Sequence, residues 1–169
     1  MDIGCYCINT ARFLIGAEPL RVYAAQEVGA HGVDERTSAT VHFPGGELLQ
    51  FDTNLYLQDG HFEQGCTVYG ERGNLHIPQA FAQIDLLRFG RVVDTELILT
   101  DHTIGKGNTE TIRIKAQHQW RLEAEYFAGR ILAGAAIDLP AENGIANMRV
   151  IDAVVRSARS GGPVEIGSS

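Results

Sequence analysis

The sequence predicts an α+β fold with a large, mostly antiparallel β-sheet and helices on one face. Three observations support this: a helical repeat of apolar residues over the first 15 positions, a long series of segments rich in β-branched and aromatic residues, and a return to helical periodicity near the end. With 169 residues the chain has the length of one ordinary domain, so we expect residues 1–169 to form a single domain.

The first helix is predicted from Asp2 to Ile15. Asp2 is suited to cap or charge its first turn, and Gly16 is suited to end it. Apolar residues recur at helical spacing on one side of this helix: Ile3, Cys7, Ala11 and Leu14. At about 100° per residue, three polar or aromatic side chains fall within roughly 60° of each other on another side: Asp2, Tyr6 and Asn9.

The middle of the chain is predicted to form antiparallel strands, among them "RTSATVHF", "ELLQFDTNLYL" and "VYGERGNLHIP" with a turn from Gly70 to Gly73. In the second of these segments, one face carries Leu49, Phe51, Thr53, Leu55 and Leu57, and the other carries Gln50, Asp52, Asn54 and Tyr56. Because the second face is not purely polar and includes Leu48 and Tyr56, we expect it to meet a second copy in a two-fold dimer. The alternative is a sheet face covered only by solvent.

Two further helices are predicted to close the domain. The segment "HQWRLEAEYFAGRILAG" places Trp120, Phe127 and Ile131 at helical spacing and ends at Gly134. The segment "NGIANMRVIDAVVRSARSGG" has the same pattern, with an apolar side made of Ile145, Met148, Ile151 and Val155. The remaining "GPVEIGSS" reads as a short strand or tail.

Composition excludes several classes of protein. A formal net charge of -7 disfavours a nucleic-acid partner, and no run approaches the ~20 apolar residues that span a bilayer. The three cysteines, Cys5, Cys7 and Cys66, cannot all pair, which favours a reducing compartment such as the cytoplasm, although a periplasmic location stays open. The six histidines are dispersed, so we expect no metal site. No dinucleotide-binding glycine motif occurs, so we expect no cofactor-binding residue in this chain.

The polar face of the first helix is the one feature that suggests chemistry. A tyrosine hydroxyl can donate or accept a proton, and a carboxylate one turn away can orient a substrate hydroxyl. Arg12, one turn beyond Asn9, could reach a substrate. The alternative is structural: Asp2 as a helix cap, Tyr6 as a half-buried aromatic residue and Asn9 as a solvated side chain.

Three stretches resemble the C-terminal domain of the glucose-fructose oxidoreductase, inositol dehydrogenase and MocA family. "MDIGCYCINTARFLIGAEPLRVYA" resembles the segment that opens that domain, whose helix carries Asp-x-Gly-x-His or Asp-x-Gly-x-Tyr and lines the substrate site. The hairpin "VYGERGNLHIP" and the closing "PAENGIANMRVIDAVVRSARSGGPVEI" are also similar to the family's, as are Glu123, Phe127 and Gly134 in the penultimate helix.

The resemblance implies an NAD(P)-dependent oxidoreductase that transfers a hydride between nicotinamide and a sugar, polyol or related small alcohol or carbonyl compound. It implies that Tyr6 exchanges a proton with the substrate and that Asp2 orients it, with Asn9, Arg12 and Trp120 in substrate binding. NAD or NADP would be bound by an N-terminal Rossmann domain, which would also supply a lysine near Tyr6. We therefore expect the chain to be the second part of a longer, homo-oligomeric enzyme and to be inactive alone.

Two other interpretations stay open. The chain could be a stand-alone binding or assembly module that kept this fold without the cofactor domain. It could also be a catalytically silent family member that acts as a sensor or partner, although the presence of both Asp2 and Tyr6 disfavours this.

Overall fold

The computed structural model describes residues 1–55, 64–81, 84–85, 91–103 and 107–167. The chain divides into two compact units, the first comprising Met1–Tyr56 with Asp138–Ser169 and the second Leu57–Ile137. Each unit contains a four-stranded antiparallel sheet, and the predicted α+β class is confirmed.

The described residues form three helices and ten strands. In chain order these are α1 (Gly4–Ile15), β1 (Arg21–Val28), β2 (Asp34–His42), β3 (Leu48–Asn54), β4 (Cys66–Gly70), β5 (Gly73–Ile77), β6 (Ile84–Asp85), β7 (Arg91–Val92), β8 (Thr95–Asp101), β9 (Asn108–Ile114), α2 (Gln119–Leu132), α3 (Ala141–Ser160) and β10 (Val164–Glu165). None of these helices is long and apolar enough to cross a membrane.

The sheet of the first unit has the strand order β10-β1-β2-β3, and every pair is antiparallel. The alternation predicted for β3 is confirmed, because Phe51 and Thr53 are buried whereas Gln50 and Asp52 are exposed. Leu55 follows the strand in a turn and is exposed, so its predicted place on the inner face is wrong. The predictions for Tyr56 and Leu57 fall outside the described residues.

The core of the first unit lies where α1 packs on β3 and α3, and where α3 packs on β1. Its fully buried apolar side chains come from all of these layers: Ile8, Val22, Val41, Val150 and Val154. The predicted apolar sides of the helices are only partly right, since Leu14, Ile145 and Met148 are exposed. The buried side of α3 begins near its middle instead, because only that part of the helix covers the sheet.

The second unit contains the sheet β4-β5-β8-β9, the strand pair β6 and β7, and helix α2. The predicted turn from Gly70 to Gly73 joins β4 to β5. Gly73 is required by close approach, since a Cβ atom there would lie 2.0 Å from the carbonyl oxygen of Thr100 on β8. Helix α2 begins after His118, whose ring nitrogen accepts a hydrogen bond from the Arg121 N–H.

Ser157 fixes α3 to the edge of the first sheet. Strand β10 pairs with β1 only at Arg21 and Val22. The next inward residue, Ala24, donates its backbone N–H to the Ser157 hydroxyl at 2.9 Å, and that hydroxyl donates to the Gly162 carbonyl at 2.6 Å. Because Ser157 is fully buried, its hydroxyl satisfies backbone groups that water does not reach.

We therefore predict that Ser157→Ala lowers the free energy of unfolding by about 1 to 3 kcal/mol, the usual cost of an unsatisfied buried polar group. Urea denaturation followed by circular dichroism measures this loss. The control is Ser160→Ala on the same helix, an exposed position where water can replace the hydroxyl and the change should stay within about 0.5 kcal/mol. Equal effects of the two substitutions would contradict the role given to Ser157.

Candidate active site on helix α1

The three residues of the predicted polar face are all exposed. Tyr6 and Asn9 lie three positions apart on α1, and 53% of the Tyr6 surface is accessible. Asp2 lies in the turn before the helix, so its predicted role as helix cap is wrong: the N-cap is Ile3, which makes no side-chain capping bond. The Asp2 backbone carbonyl instead accepts a hydrogen bond from the Cys5 thiol at 3.1 Å.

The glycine of the Asp-x-Gly-x-Tyr motif lets the first turn of α1 lie against the sheet. Gly4 is buried, and a Cβ atom there would lie 3.4 Å from the Phe51 ring of β3 and 2.8 Å from the end of the Met1 side chain. At the other end, Gly16 has a left-handed backbone (φ 72°) and its N–H bonds the Arg12 carbonyl, which ends the helix as predicted.

The turn after α1 brings a carboxylate back onto the helix. The guanidinium of Arg12 donates two hydrogen bonds to Glu18, from Nε to Oε2 at 2.8 Å and from Nη2 to Oε1 at 2.7 Å. Arg12 is only 6% exposed. Such a two-point pair fixes both position and orientation of the guanidinium.

The same guanidinium ties α1 to α3. Its Nη1 donates to the Asn143 carbonyl at 3.3 Å and to Asn147 Oδ1 at 3.5 Å. Asn147 in turn donates from Nδ2 to the carbonyl of Cys5 at 3.2 Å, directly before Tyr6 in the chain. We call these four residues, Arg12, Glu18, Asn143 and Asn147, the Arg12 clamp.

Arg12 is therefore occupied by protein groups in this structure, although the resemblance implied a contact with substrate. Its guanidinium is buried and shared among Glu18 and two residues of α3, so its described role is to hold the helix that carries Tyr6 and Asn9. A cavity of about 220 Å³ lies beside this clamp, between the C-terminal half of α1, the turn through Glu18, and Leu139 and Asn143.

Trp120, the remaining predicted binding residue, lies on α2 in the second unit. It is 45% exposed and its ring stands edge-on to His118, with the ring centroids 5.9 Å apart. Its assignment to substrate binding stays a prediction.

Glu18, Asn143 and Asn147 were not identified from the sequence. The available signal was the pair Asn143 and Asn147, four positions apart at the start of a helix whose apolar pattern was read through Ile145 and Met148. Two amides at this spacing face the same neighbour. The contact of Glu18 with Arg12 depends on the turn at Gly16, which periodicity does not describe.

Hydrogen bonds and burial change the acidity of groups around α1. The Arg12 guanidinium lowers the pKa of the Glu18 carboxyl below its usual 4.5. Burial raises the pKa of the Cys5 thiol, and the negative charge of Asp2 raises it further, so this thiol is a weak nucleophile. Cys5, Cys7 and Cys66 form no disulfide bond within the part of the chain that the structure describes. Among the described residues, no three metal-ligating side chains come together.

Comparison with known proteins shows that the first part of the chain matches the model of a known protein family. Residues 1–76, which include α1 and the first three strands, match the sequence model described as GFO/IDH/MocA C-terminal domain. This match covers less than half of the 169 residues. The family resemblance of the opening motif is thereby confirmed.

Similar proteins cover nearly all of the chain. An uncharacterized oxidoreductase of Rhizobium meliloti is 29% identical over 95% of the chain, and a D-xylose 1-dehydrogenase (NADP(+)) of Haloferax volcanii is 28% identical over 98%. The fold is similar to that of aldose-aldose oxidoreductase from Caulobacter crescentus, crystallised with glycerol (TM-score 0.76, 21% identity, 96% of this chain and 45% of that one). The chain spans about half the length of these curated relatives, 46% and 47%.

The domain's own described residues do not form a dinucleotide site. Such sites place a pyrophosphate on a glycine-rich turn between a strand and the start of a helix. Helix α2 follows β9 through "KAQH", and α3 begins at Pro140 after "IDL", so neither start offers that turn.

The Arg12 clamp predicts a specific dependence of stability on pH. The pKa of Glu18 is lower in the folded state than its unfolded value near 4.5, so its stabilising effect is complete above that value and is lost as pH falls through the folded pKa. We predict that wild type exceeds Glu18→Gln in free energy of unfolding at pH 6 to 7 and that this difference shrinks below about pH 4.5.

Urea titrations of both proteins at several pH values between about 3 and 7 measure this difference. Substitution of the exposed Glu142 by Gln is the control, because it removes the same charge without touching the pair of Arg12 and Glu18. A difference between wild type and Glu18→Gln that stays constant over the whole range would contradict the lowered pKa of Glu18.

Proposed function

We propose that this domain is the substrate-binding part of an NAD(P)-dependent oxidoreductase that acts on a sugar, polyol or related small alcohol or carbonyl compound. The observation that carries the proposal is the exposed phenol of Tyr6, preceded by Asp2 and followed by Asn9, on a helix fixed by the Arg12 clamp, whose guanidinium is buried. The names of the relatives, a D-xylose dehydrogenase and an aldose-aldose oxidoreductase, support the substrate class.

In this proposal Tyr6 exchanges a proton with the substrate oxygen, and the Asp2 carboxylate accepts a hydrogen bond from a neighbouring substrate hydroxyl. Asn9 contributes an amide to substrate binding. A bound nicotinamide would accept or deliver the hydride, and its dinucleotide would be held by a cofactor domain outside these residues. The Arg12 clamp keeps Tyr6 and Asn9 in a fixed geometry, which general acid–base catalysis requires.

Function as a stand-alone binding or assembly module remains the competing hypothesis. Both hypotheses use the same exposed side of α1, but only catalysis requires the Tyr6 hydroxyl to transfer a proton. For the complete protein we propose a cytoplasmic location, on the basis of the three free cysteines.

We also propose that the domain forms a homodimer through the outer face of the first sheet. This face carries an open trough of about 440 Å³ that is lined by alternating residues of β1, β2 and β3, including Tyr23, Ala25, Ser38 and Asp52. Leu48 and Tyr23 are each more than half exposed beside polar groups. A mixed apolar and polar surface of this kind is suited to contact with a second protein surface.

The role of Tyr6 predicts a kinetic result for the intact oxidoreductase that contains this domain. Tyr6→Phe should lower kcat by about 10²-fold or more with little change in nicotinamide affinity, because it removes only the proton-transferring group. The measurement is steady-state turnover with D-xylose and related sugars together with cofactor titration. Tyr69→Phe, which removes the hydroxyl of a more exposed tyrosine on β4, is the control and should leave kcat unchanged. Undiminished turnover in Tyr6→Phe would contradict the proton-transferring role of Tyr6.

The dimer proposal predicts that charge on the sheet face separates the subunits. Ala25→Glu places a second carboxylate beside Asp52 of the same trough, so two such faces should repel and leave a monomer. Analytical ultracentrifugation at tens of micromolar measures the mass. Ala30→Glu makes the same charge change in the exposed turn between β1 and β2 and should stay dimeric. A wild-type monomer at that concentration would refute the dimer.

A further inference from the structure

The side chain of Asn9 makes a direct hydrogen bond to one member of the Arg12 clamp, in addition to the support that the clamp gives to the helix backbone. Asn143, in the first turn of α3, donates a hydrogen bond from Nδ2 to Asn9 Oδ1 at 3.3 Å. The amide oxygen of Asn9 is thus already engaged. Its amide nitrogen has no hydrogen-bond partner in the part of the first unit that the structure describes.

Positive charge beside Asn143 favours this direction of the bond. The guanidinium of Arg12 donates to the Asn143 backbone carbonyl at 3.3 Å, and Asn143 lies at the positive end of the 20-residue helix α3. Both positive charges favour the orientation in which the side-chain amide oxygen of Asn143 lies toward them. Its NH₂ group is then the part that faces Asn9, whose oxygen must accept.

The NH₂ group of Asn9 is therefore the part of this amide that is left without a protein partner, and an NH₂ group can only donate hydrogen bonds to a ligand. A donor binds an ether oxygen, a carbonyl oxygen or a hydroxyl lone pair, but it rejects a CH₂ group or an ammonium at the same place. The ring oxygen of a cyclic sugar accepts hydrogen bonds and donates none. It keeps that property whether the sugar carbon beside it is reduced or oxidised.

We propose that Asn143 is a positioning residue that fixes Asn9 as a donor to an acceptor-only oxygen of the substrate, namely the ring oxygen of a cyclic sugar. This inference rests on the proposed function and narrows its substrate class from polyols in general to sugars in ring form. The 220 Å³ cavity that Asn9 and Asn143 both line gives such a ring space beside the donor.

The test compares two ligands that differ only in the ring atom: D-xylose and its carbocyclic analogue, in which CH₂ replaces the ring oxygen. Each is titrated into the ¹⁵N-labelled 169-residue protein while the side-chain amide signals are followed by NMR, with Asn9→Ala identifying the Asn9 signals. In wild type we expect D-xylose to shift the Asn9 Nδ2 signals and to bind about tenfold tighter than the analogue.

Asn143→Asp is the decisive variant. The carboxylate cannot donate, so the Asn9 amide should turn its nitrogen toward residue 143 and its oxygen toward the ligand, and the affinity ratio should fall to about one. An acid in the first turn of α3 suits the helix, so the variant should fold. Glu142→Gln, one position earlier and exposed, is the control and should keep the wild-type ratio.

Each outcome decides the inference. An Asn9 signal that D-xylose does not move, or an affinity ratio that is the same in wild type and Asn143→Asp, would overturn it. A purely structural role of Asn143 would weaken both ligands equally and leave the ratio unchanged. The result is separate from the catalytic proposal, since full turnover in Tyr6→Phe would contradict the role of Tyr6 in proton transfer but would leave the ring-oxygen contact of Asn9 intact.

Discussion

The buried guanidinium of Arg12 is the interaction on which the arrangement of the first unit depends. It joins the end of α1 to the turn that carries Glu18, six residues later, and to the first turns of α3, more than 130 residues later. A buried charge is tolerated only when hydrogen bonds replace its lost hydration, and here two carboxylate bonds and two bonds to α3 do so. Loss of either set of partners, the Glu18 carboxylate or the groups on α3, would leave the guanidinium charge incompletely paired. The clamp therefore requires all of these groups in their positions.

The two sides of α1 have different roles. Gly4, Ile8, Ala11 and Arg12 face the interior and fix the helix against β3 and α3. Tyr6 and Asn9 face outward, where they bury little surface. Substitution of an outward residue therefore changes the chemistry offered to a ligand at small cost in folding free energy. A fold organised in this way can host several substrates on one scaffold.

Local signals predicted much of this fold. Gly16 ended the first helix as predicted because a left-handed residue at that position is a local requirement, and the alternation in β3 followed from one buried face. The polar side of α1 was likewise predictable from spacing alone. The buried sides of α1 and α3 were less so, since the part of a helix that covers a sheet depends on contacts between elements far apart in sequence.

The same distinction explains two features of the site that local patterns in the sequence did not describe. Asp2 is a residue type that caps helices, but the helix begins two positions later because Gly4 packs against β3, and packing outweighs a capping preference of about 1 kcal/mol. Arg12 lies one turn from Asn9 and so looked available to a ligand. Its occupation by Glu18 depends on the chain reversal at Gly16, and the contact with α3 spans more than 130 residues.

The long-range contacts also determine what Asn9 can do, and this is chemistry that no pattern in the sequence expresses. An asparagine on an exposed helix face can rotate its amide and so donate or accept with equal ease. Once α3 places Asn143 against it, one of these choices is removed. Specificity of this kind comes from a single hydrogen bond that fixes the ligand-facing residue from the side away from the ligand. It depends on the fixed positions of the two helices that carry the bonded residues, as well as on the identity of the binding residue.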